Sequence, residues 1–429
     1  MRISLCIICK DEEENIQRCI NSVKSIVDEI IVVDTGSTDQ TIALAEKEGA
    51  IVYQIEWEND FAKARNYALS KATGEWIIFL DADEYVDENT AEYIRPCIDQ
   101  CIEKNKNILL GTLINLGENS IIDTSTTLRI FANKSYLRYI GKVHERLISK
   151  NASRQVSALD GRELINVYHT GYSNKEVERK NKYTRNEQML LKELHKKERR
   201  IGEYGRADIH YYLTEVYQAK KDNEQLLFHA KEALKCKDFR LLGTHHKTYC
   251  NLLSKMIELK VEESEIEKYY KESIAIDSFY PDFEWYYAQY LLNKGEEERA
   301  IQYIEACIQK IESYQGMVQS YLMIKINELY HLATEIYMKS NDIQNALIKL
   351  VKLLKVDKYD YKALRKLFVV LDGKEEVMAV AKFLEKIYDY NAENDRVVLV
   401  QIAKSLDSKS YYNYFYKLLT DEEKKLIAQ

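Results

Sequence analysis

Carboxylates recur in this chain directly after short apolar runs. Asp11 and Glu12 follow ISLCIIC, Asp34 closes EIIVVD with Asp39 just beyond, and Asp81, Asp83 and Glu84 follow WIIFL. In an open parallel sheet the carboxyl ends of the strands face one crevice, where ligands bind. Acids converging on such an edge repel one another unless a cation or hydrogen-bond donors intervene. The pattern therefore points to a metal ion, a polyhydroxyl ligand, or both. Asp81-Ala82-Asp83 is the sharpest element, because an apolar strand delivers two carboxylates to a wet rim. Mg²⁺ or Mn²⁺ suits such a place, with substrate phosphates completing the shell. In the loop from Asp34 to Asp39, Gly36 permits a tight turn, Ser37 can cap a helix, and both acids can accept from a ribose or base. Arg65 supplies a cation to balance carboxylates and a leaving diphosphate. No GxGxxG or Walker sequence is present. Two of the eight histidines, His144 and His169, sit in the polar-aromatic blocks GKVHE (141–145) and VYHTGY (167–172).

These residues need a scaffold, and the flanking pattern describes one. Residues 1–130 alternate short β-branched runs with helical periodicity, the signature of parallel α/β structure. Strands are expected over Arg2–Cys9, Glu29–Asp34, Ala50–Gln54 and Trp76–Leu80, with helices over Asn15–Val27, from Ser37 onward, and over Ala62–Ala72. Residues 108–170 read as mixed strands and loops, among them ILLGTLINL and TTLRIF. From about 175 strand signals stop, and short helices joined by polar turns follow. Within them FEWYYAQYLLNKGEEERAIQYIEACIQ places Ala288, Leu291, Ala300, Ile304 and Cys307 as a tetratricopeptide-like hairpin would. Weaker copies lie around Leu213–Ala233 and Thr334–Leu353; an ordinary helical bundle is the alternative.

Bulk properties narrow the class. The 429 residues exceed one ordinary core and fit two or three domains. Only two prolines interrupt the chain, which favours helices, and 33 tyrosines suit helix-on-helix packing. The net charge of −7 is evenly mixed, so no basic stripe invites nucleic acid. The first apolar run is too short for a signal peptide and no segment approaches a membrane span, which makes the cytoplasm the expected location. Cys6 and Cys9 form a CxxC inside an apolar run and read as buried strand residues rather than a redox pair.

KDEEENI, VVDTGSTDQT, WENDFAKARN and GEWIIFLDADE, in this order, resemble the family-2 glycosyltransferases. The resemblance implies an α/β GT-A (Rossmann-like, nucleotide-sugar-binding) catalytic domain plus an all-α tetratricopeptide-like domain. The expected layout is catalytic 1–175, a linking helix 176–206 and helical hairpins 207–429. It implies an inverting, metal-dependent transfer from a UDP-sugar, with Asp11, Glu12, Asp34, Ser37, Asp39, Arg65, Asp81, Ala82 and Glu84 on the donor side. Asp83 and His169 would hold Mg²⁺ or Mn²⁺, and His144 and Glu145 would face the acceptor. Glu145 is the expected base; it could instead orient His144 or a loop, and Glu84 is the rival. WENDFAKARN, GKVHE and YHTGY are also similar to stretches of the bacteriocin (glycocin) S-glycosyltransferases. That likeness implies a cysteine or serine of a small precursor peptide as acceptor, and a homodimer through the helical domain. The alternative acceptor is a cell-envelope glycan or lipid-linked sugar. The one basic stretch that could serve a membrane, 175–200, is interleaved with acids and reads as a solvated helix. A helical adaptor with a dead first domain is a third reading, opposed by intact Arg65, Asp81, Asp83 and the His144-Glu145 pair.

Overall fold

The computed structural model describes residues 1–117, 120–151, 153–154, 156–170, 176–196, 203–406 and 408–428. Compactness divides the chain once, into Met1–Leu241 and Leu242–Gln429. The boundaries expected at 175 and 206 both fall within the first of these units.

The first unit begins with β1 (Ile3–Cys9), α1 (Ile16–Val23), β2 (Glu29–Asp34), α2 (Thr41–Lys47), β3 (Ile51–Gln54), α3 (Phe61–Lys71), β4 (Trp76–Asp81) and β5 (Glu84–Val86). It continues through α4 (Glu88–Glu103), β6 (Ile108–Leu116), β7 (Ile121–Ala132), β8 (Leu137–Ile140), β9 (Arg146–Ser149), β10 (Ala158–Asp160) and β11 (Asn166–His169). Helices α5 (Glu176–Leu194), α6 (Arg206–Lys220) and α7 (Asn223–Cys236) close it. The strands run β3-β2-β1-β4-β7-β6-β11-β5, with β10 also pairing β6, and β8 and β9 form a separate hairpin. β3, β2, β1 and β4 are parallel neighbours, whereas β7 is antiparallel to β4 and β6.

Both faces of β1 are covered, which is why its sequence is a continuous apolar run. Ile3, Leu5, Ile7 and Cys9 pack with α1, α2 and α4, and Cys6 and Ile8 pack with α3 and β8. Cys6 and Cys9 are buried as expected, and burial pushes both thiols well above their ordinary pKa, so neither is a thiolate near neutral pH. Two helix limits differ from the sequence reading. α1 stops at Val23, and α2 starts at Thr41 rather than Ser37. The side chain of Ser37 is spent on Asp34 and on the amide of Asp11 instead of a helix end.

The second unit, by itself, is built of helices and their connections, with no strand among its described residues. It comprises α8 (Thr244–Glu258), α9 (Glu263–Ile276), α10 (Asp282–Asn293), α11 (Glu297–Ser313), a 3-10 turn (Tyr321–Lys325), α12 (Ile326–Lys339) and α13 (Ile343–Val356). Shorter helices follow: α14 (Tyr361–Leu371), α15 (Val377–Leu384), α16 (Glu393–Ser405), α17 (Lys409–Tyr416) and α18 (Asp421–Ala428). α8 with α9, α10 with α11, and α12 with α13 pack as consecutive pairs, and α6 with α7 does the same in the first unit. Ala288, Leu291, Ala300, Ile304 and Cys307 are all fully buried in the α10–α11 pair. Three pairs turn at a left-handed residue followed by an acid that opens the next helix: Lys221-Asp222, Gly295-Glu296 and Asn341-Asp342. Among the described residues no helix is long and apolar enough to cross a membrane.

Candidate active site

The carboxylates after β1 and β2 meet each other, and backbone and hydroxyl donors absorb their charge. Asp34 is buried and accepts from the amides of Gly36 (2.9 Å) and Ser37 (3.0 Å) and from the Ser37 hydroxyl. Gly36 takes φ +107°, a conformation glycine adopts without steric cost, and this wraps the loop around that carboxylate. Asp11 accepts from the amide of Thr38 (2.7 Å), while its own amide donates to Ser37 Oγ (2.9 Å). Asp39 accepts from the amides of Thr41 (2.9 Å) and Glu13 (3.1 Å). Burial opposes ionisation of Asp39, but the Thr41 hydroxyl, with these amides, prevails and holds its carboxyl below the ordinary value. The amide of Glu12 donates to Thr41 Oγ1 (2.7 Å), tying the loop after β1 to the start of α2.

A second cluster sits at the end of β4. Asp81 Oδ1 accepts from Arg65 Nη2 at 2.7 Å and Oδ2 from Arg129 Nη2 at 3.0 Å, so two guanidiniums fix one carboxylate. Arg65 Nε also donates to Glu145 Oε1, and Arg129 embraces both oxygens of Glu84. The amide of Asp81 donates to Glu84 Oε2 at 3.0 Å. Burial alone would raise the Asp81 carboxyl, yet Arg65 and Arg129 outweigh it and hold the group far below the usual range. Glu84 goes the other way: burial, with Asp81 adding to it, lifts its carboxyl despite Arg129.

Exposure sorts these residues by role. The Asp81 side chain is 33% exposed, whereas those of Arg65 and Glu84 are 6% and 2% exposed. Arg65 lies over the rings of Phe79 and Tyr139, and its Nη1 is buried without a hydrogen-bond partner. Arg65 and Glu84 thus lie beneath the rim, with Asp81 as its more exposed member. Ala82 is also buried, at the turn between β4 and β5.

Arg129 was not singled out from the sequence. It occupies TTLRIF, an otherwise apolar and hydroxylated strand, and a lone arginine within a sheet strand was the available signal. A charge almost never sits there without a partner.

Asp83 and His169 come together through strand register. β11 lies between β5 and β6, with His169 opposite Glu84 on one side and Asn115 on the other. Its Nδ1 lies 2.8 Å from Asn115 Oδ1, and its Nε2 lies 3.2 Å from Asp83 Oδ2. An Nδ1–H donated to Asn115 leaves the neutral ring with a lone pair beside a carboxylate. Two acceptors facing one another fit a shared divalent cation, with the second ring nitrogen held as metal-binding imidazoles usually are. Among the described residues no group of three or more His, Cys, Asp or Glu side chains is arranged to hold a metal. Asp83 and His169 could hold such an ion only with substrate phosphates and water as its further ligands, as Mg²⁺ usually takes. Thr170 donates its amide to the Asp83 carbonyl (3.2 Å), which fixes this turn. Gly171 and Tyr172, the rest of the VYHTGY block, lie outside the described residues.

GKVHE forms the loop of the β8–β9 hairpin. Glu145 joins the Arg65 cluster, while His144 turns away from it and stacks on Tyr212 of α6. The two neighbouring residues are therefore placed on different partners.

The family model for glycosyl transferase family 2 matches residues 4–160. A TPR repeat-containing protein of Synechococcus elongatus is 38% identical over 144 residues, 34% of this chain and 35% of that protein. The prophage-derived glycosyltransferase SunS of Bacillus subtilis is 34% identical over 194 residues, 43% of each chain. The chain thus matches less than half the length of these curated relatives. Among solved structures, S. aureus TarS 1-349 in complex with UDP-GlcNAc aligns with 63% of this chain and 89% of its own, at 16% identity and a TM-score of 0.35. The sheet with its rim of carboxylates is of GT-A type, its residues 4–160 match glycosyl transferase family 2, and a helical C-terminal region follows it.

Proposed function

We propose that the protein is an inverting glycosyltransferase that moves a hexose from a UDP-sugar to a cysteine, or serine, side chain of a small precursor peptide. The observation that carries this is Asp81: a part-exposed carboxylate at a strand end, held by two guanidiniums, one turn from the Asp83–His169 pair. A carboxylate pinned in this way presents fixed acceptor geometry to sugar or ribose hydroxyls and needs no reorganisation during reaction. Asp11, Glu12, Asp34, Ser37 and Asp39 shape the nucleotide side of the same edge, with Ala82 beneath it. Arg65 and Glu84 support Asp81 from below. Asp83 and His169 would hold Mg²⁺ or Mn²⁺, which when bound neutralises charge building on the departing diphosphate.

Glu145 is the proposed base. Arg65 takes Oε1, which leaves Oε2 to accept the acceptor proton. A thiol, with an ordinary pKa of about 8.5, asks less of such a base than a hydroxyl does. The likeness of WENDFAKARN, GKVHE and YHTGY to stretches of the bacteriocin S-glycosyltransferases supports the peptide reading over a cell-envelope acceptor. The stacked helical pairs offer an extended surface for such a peptide, or for a second copy of the chain.

The test is calorimetry of UDP-glucose and UDP-N-acetylglucosamine against the purified protein with Mn²⁺, Mg²⁺ or EDTA. Metal-dependent binding that UDP competes away is expected, and Asp83→Ala should remove the metal dependence. Absence of heat with both donors and with UDP alone overturns the donor assignment. Glu145→Gln should lower transfer by on the order of 100-fold or more with donor affinity kept. Equal losses in both would move the base elsewhere.

A further inference from the structure

The loop between β8 and β9 is clasped residue by residue between α3 on one side and α5–α6 on the other. Gly141 has φ +94°, and a Cβ there would lie 3.0 Å from the Tyr204 ring, so only glycine fits both the turn and the neighbour. The Lys142 carbonyl accepts from the amide of Phe61 at 2.9 Å. Val143 is buried in an apolar cluster with Met189, Leu190, Ile209 and Leu213. His144 takes φ +54°, unusual for a residue with a Cβ, and its ring stacks on Tyr212 at 4.0 Å with planes 5° apart. Glu145 meets Arg65 on α3, and the Arg146 guanidinium covers the Tyr204 ring.

Left-handed backbone at His144 reverses the direction of the loop between Val143, anchored in the helices, and Glu145, anchored on α3. The parallel stack on Tyr212 is a contact that holds the exposed imidazole in that conformation. We propose that Tyr212, far outside the matched family segment, is a positioning residue: its ring fixes His144 and thereby aims Glu145 at the acceptor. Helix α6 then forms the acceptor-side wall of the site. This deepens the function proposed above and rests on it.

The test uses the full chain with Tyr212→Leu and Tyr212→Phe. Leucine keeps apolar bulk and removes the flat face, whereas phenylalanine keeps the face and removes only the hydroxyl. Expected for leucine is a fall in kcat on the order of 10–100-fold, the scale of a small misplacement of a catalytic group, with donor KM and UDP affinity held. Phenylalanine is expected to restore transfer to within about threefold of the parent. In ¹³C-histidine spectra, assigned with His144→Gln, the His144 ring signals should be shifted by the stacked ring in the parent and in Tyr212→Phe, and relaxed in Tyr212→Leu. Unchanged transfer by Tyr212→Leu overturns the proposal. So does a loss in which kcat, UDP affinity and thermal midpoint fall together, because Tyr212 is then a scaffold residue. If the parent glycosylates no thiol or hydroxyl acceptor, the acceptor reading has failed; slow donor hydrolysis by the same three proteins, with the spectra, then decides whether Tyr212 positions the loop.

Discussion

At the residue scale, the site is a set of carboxylates distinguished by what neutralises each one. Hydroxyls and amides serve Asp34 and Asp39, guanidiniums serve Asp81 and Glu84, and an imidazole faces Asp83. The sequence showed the acids, because they follow apolar strands, and it showed Arg65 within a recognisable block. It did not show that Arg65 and Glu84 would be buried, since depth below a rim depends on neighbouring strands distant in the chain. Arg129 was hidden for the same reason, being delivered by β7, the strand paired with β4 but distant from it in sequence. Its removal should be severe. Arg129→Met leaves Glu84 buried beside Asp81 with no counter-charge, a change expected to cost about 3–5 kcal/mol. Adding Glu84→Gln should recover a substantial part by deleting the stranded charge, which urea denaturation of the single and double variants would measure. No recovery in the double variant would mean that Arg129 acts mainly through Asp81.

At the element scale, strands were the easier reading and their order the harder. EIIVVD and ILLGTLINL fall on β2 and β6 residue for residue, because continuous apolar runs between polar turns leave little choice of limits. Ser37 misled the placement of α2, since a serine serves a loop carboxylate as readily as a helix end. The insertion of β11 between β5 and β6, which brings His169 to Asp83, has no local signature at all. The α6–α7 pair carries a further consequence in its two buried histidines. His210 and His229 face each other through Nδ1 atoms 2.8 Å apart, so one ring donates and the other must keep its lone pair. Burial, reinforced by His210, depresses the His229 pKa to about 4. The unfolded chain, with an ordinary histidine pKa of about 6.5, binds a proton that the folded pair refuses. Stability is therefore expected to fall as pH drops from about 6.5 towards 4 and to level off below. His229→Gln should flatten that limb in thermal unfolding followed against pH; an unchanged limb would assign it to other groups.

At the scale of the whole molecule, the change from α/β to helix near residue 175 was legible from the loss of β-branched runs, but the change of compact unit comes later. α5–α7 belong with the catalytic sheet because Val143, from the β8–β9 loop, is buried among their side chains. A contact of that kind joins residues distant in sequence, and helical periodicity says nothing about it. The hairpin repeat was read correctly at α10–α11, where small residues mark close helix approach, and less clearly where Thr214 and Thr334 occupy buried positions. Those threonines return their hydroxyls to the carbonyls of His210 and Tyr330, four residues earlier, and so fit inside a helical core. Limited proteolysis should cut first around Leu242, which is 68% exposed in irregular chain between α7 and α8. The fragment ending near Leu241 is expected to bind UDP as the full chain does. Loss of binding on that cut would show that the second unit contributes to the donor site.

The place of β11 also bears on how the protein is made. β5, directly behind the Asp81–Asp83 turn, has β11 as its neighbour in the sheet, and β11 is synthesised long after it. While the ribosome is still translating the intervening residues, β5 and the Thr112–Asn115 edge of β6 lack the strand that will join them, and Asp83 has no His169. That corner is then the last part of the sheet to be finished, and Asp83 and His169 cannot meet before residue 169 has left the exit tunnel.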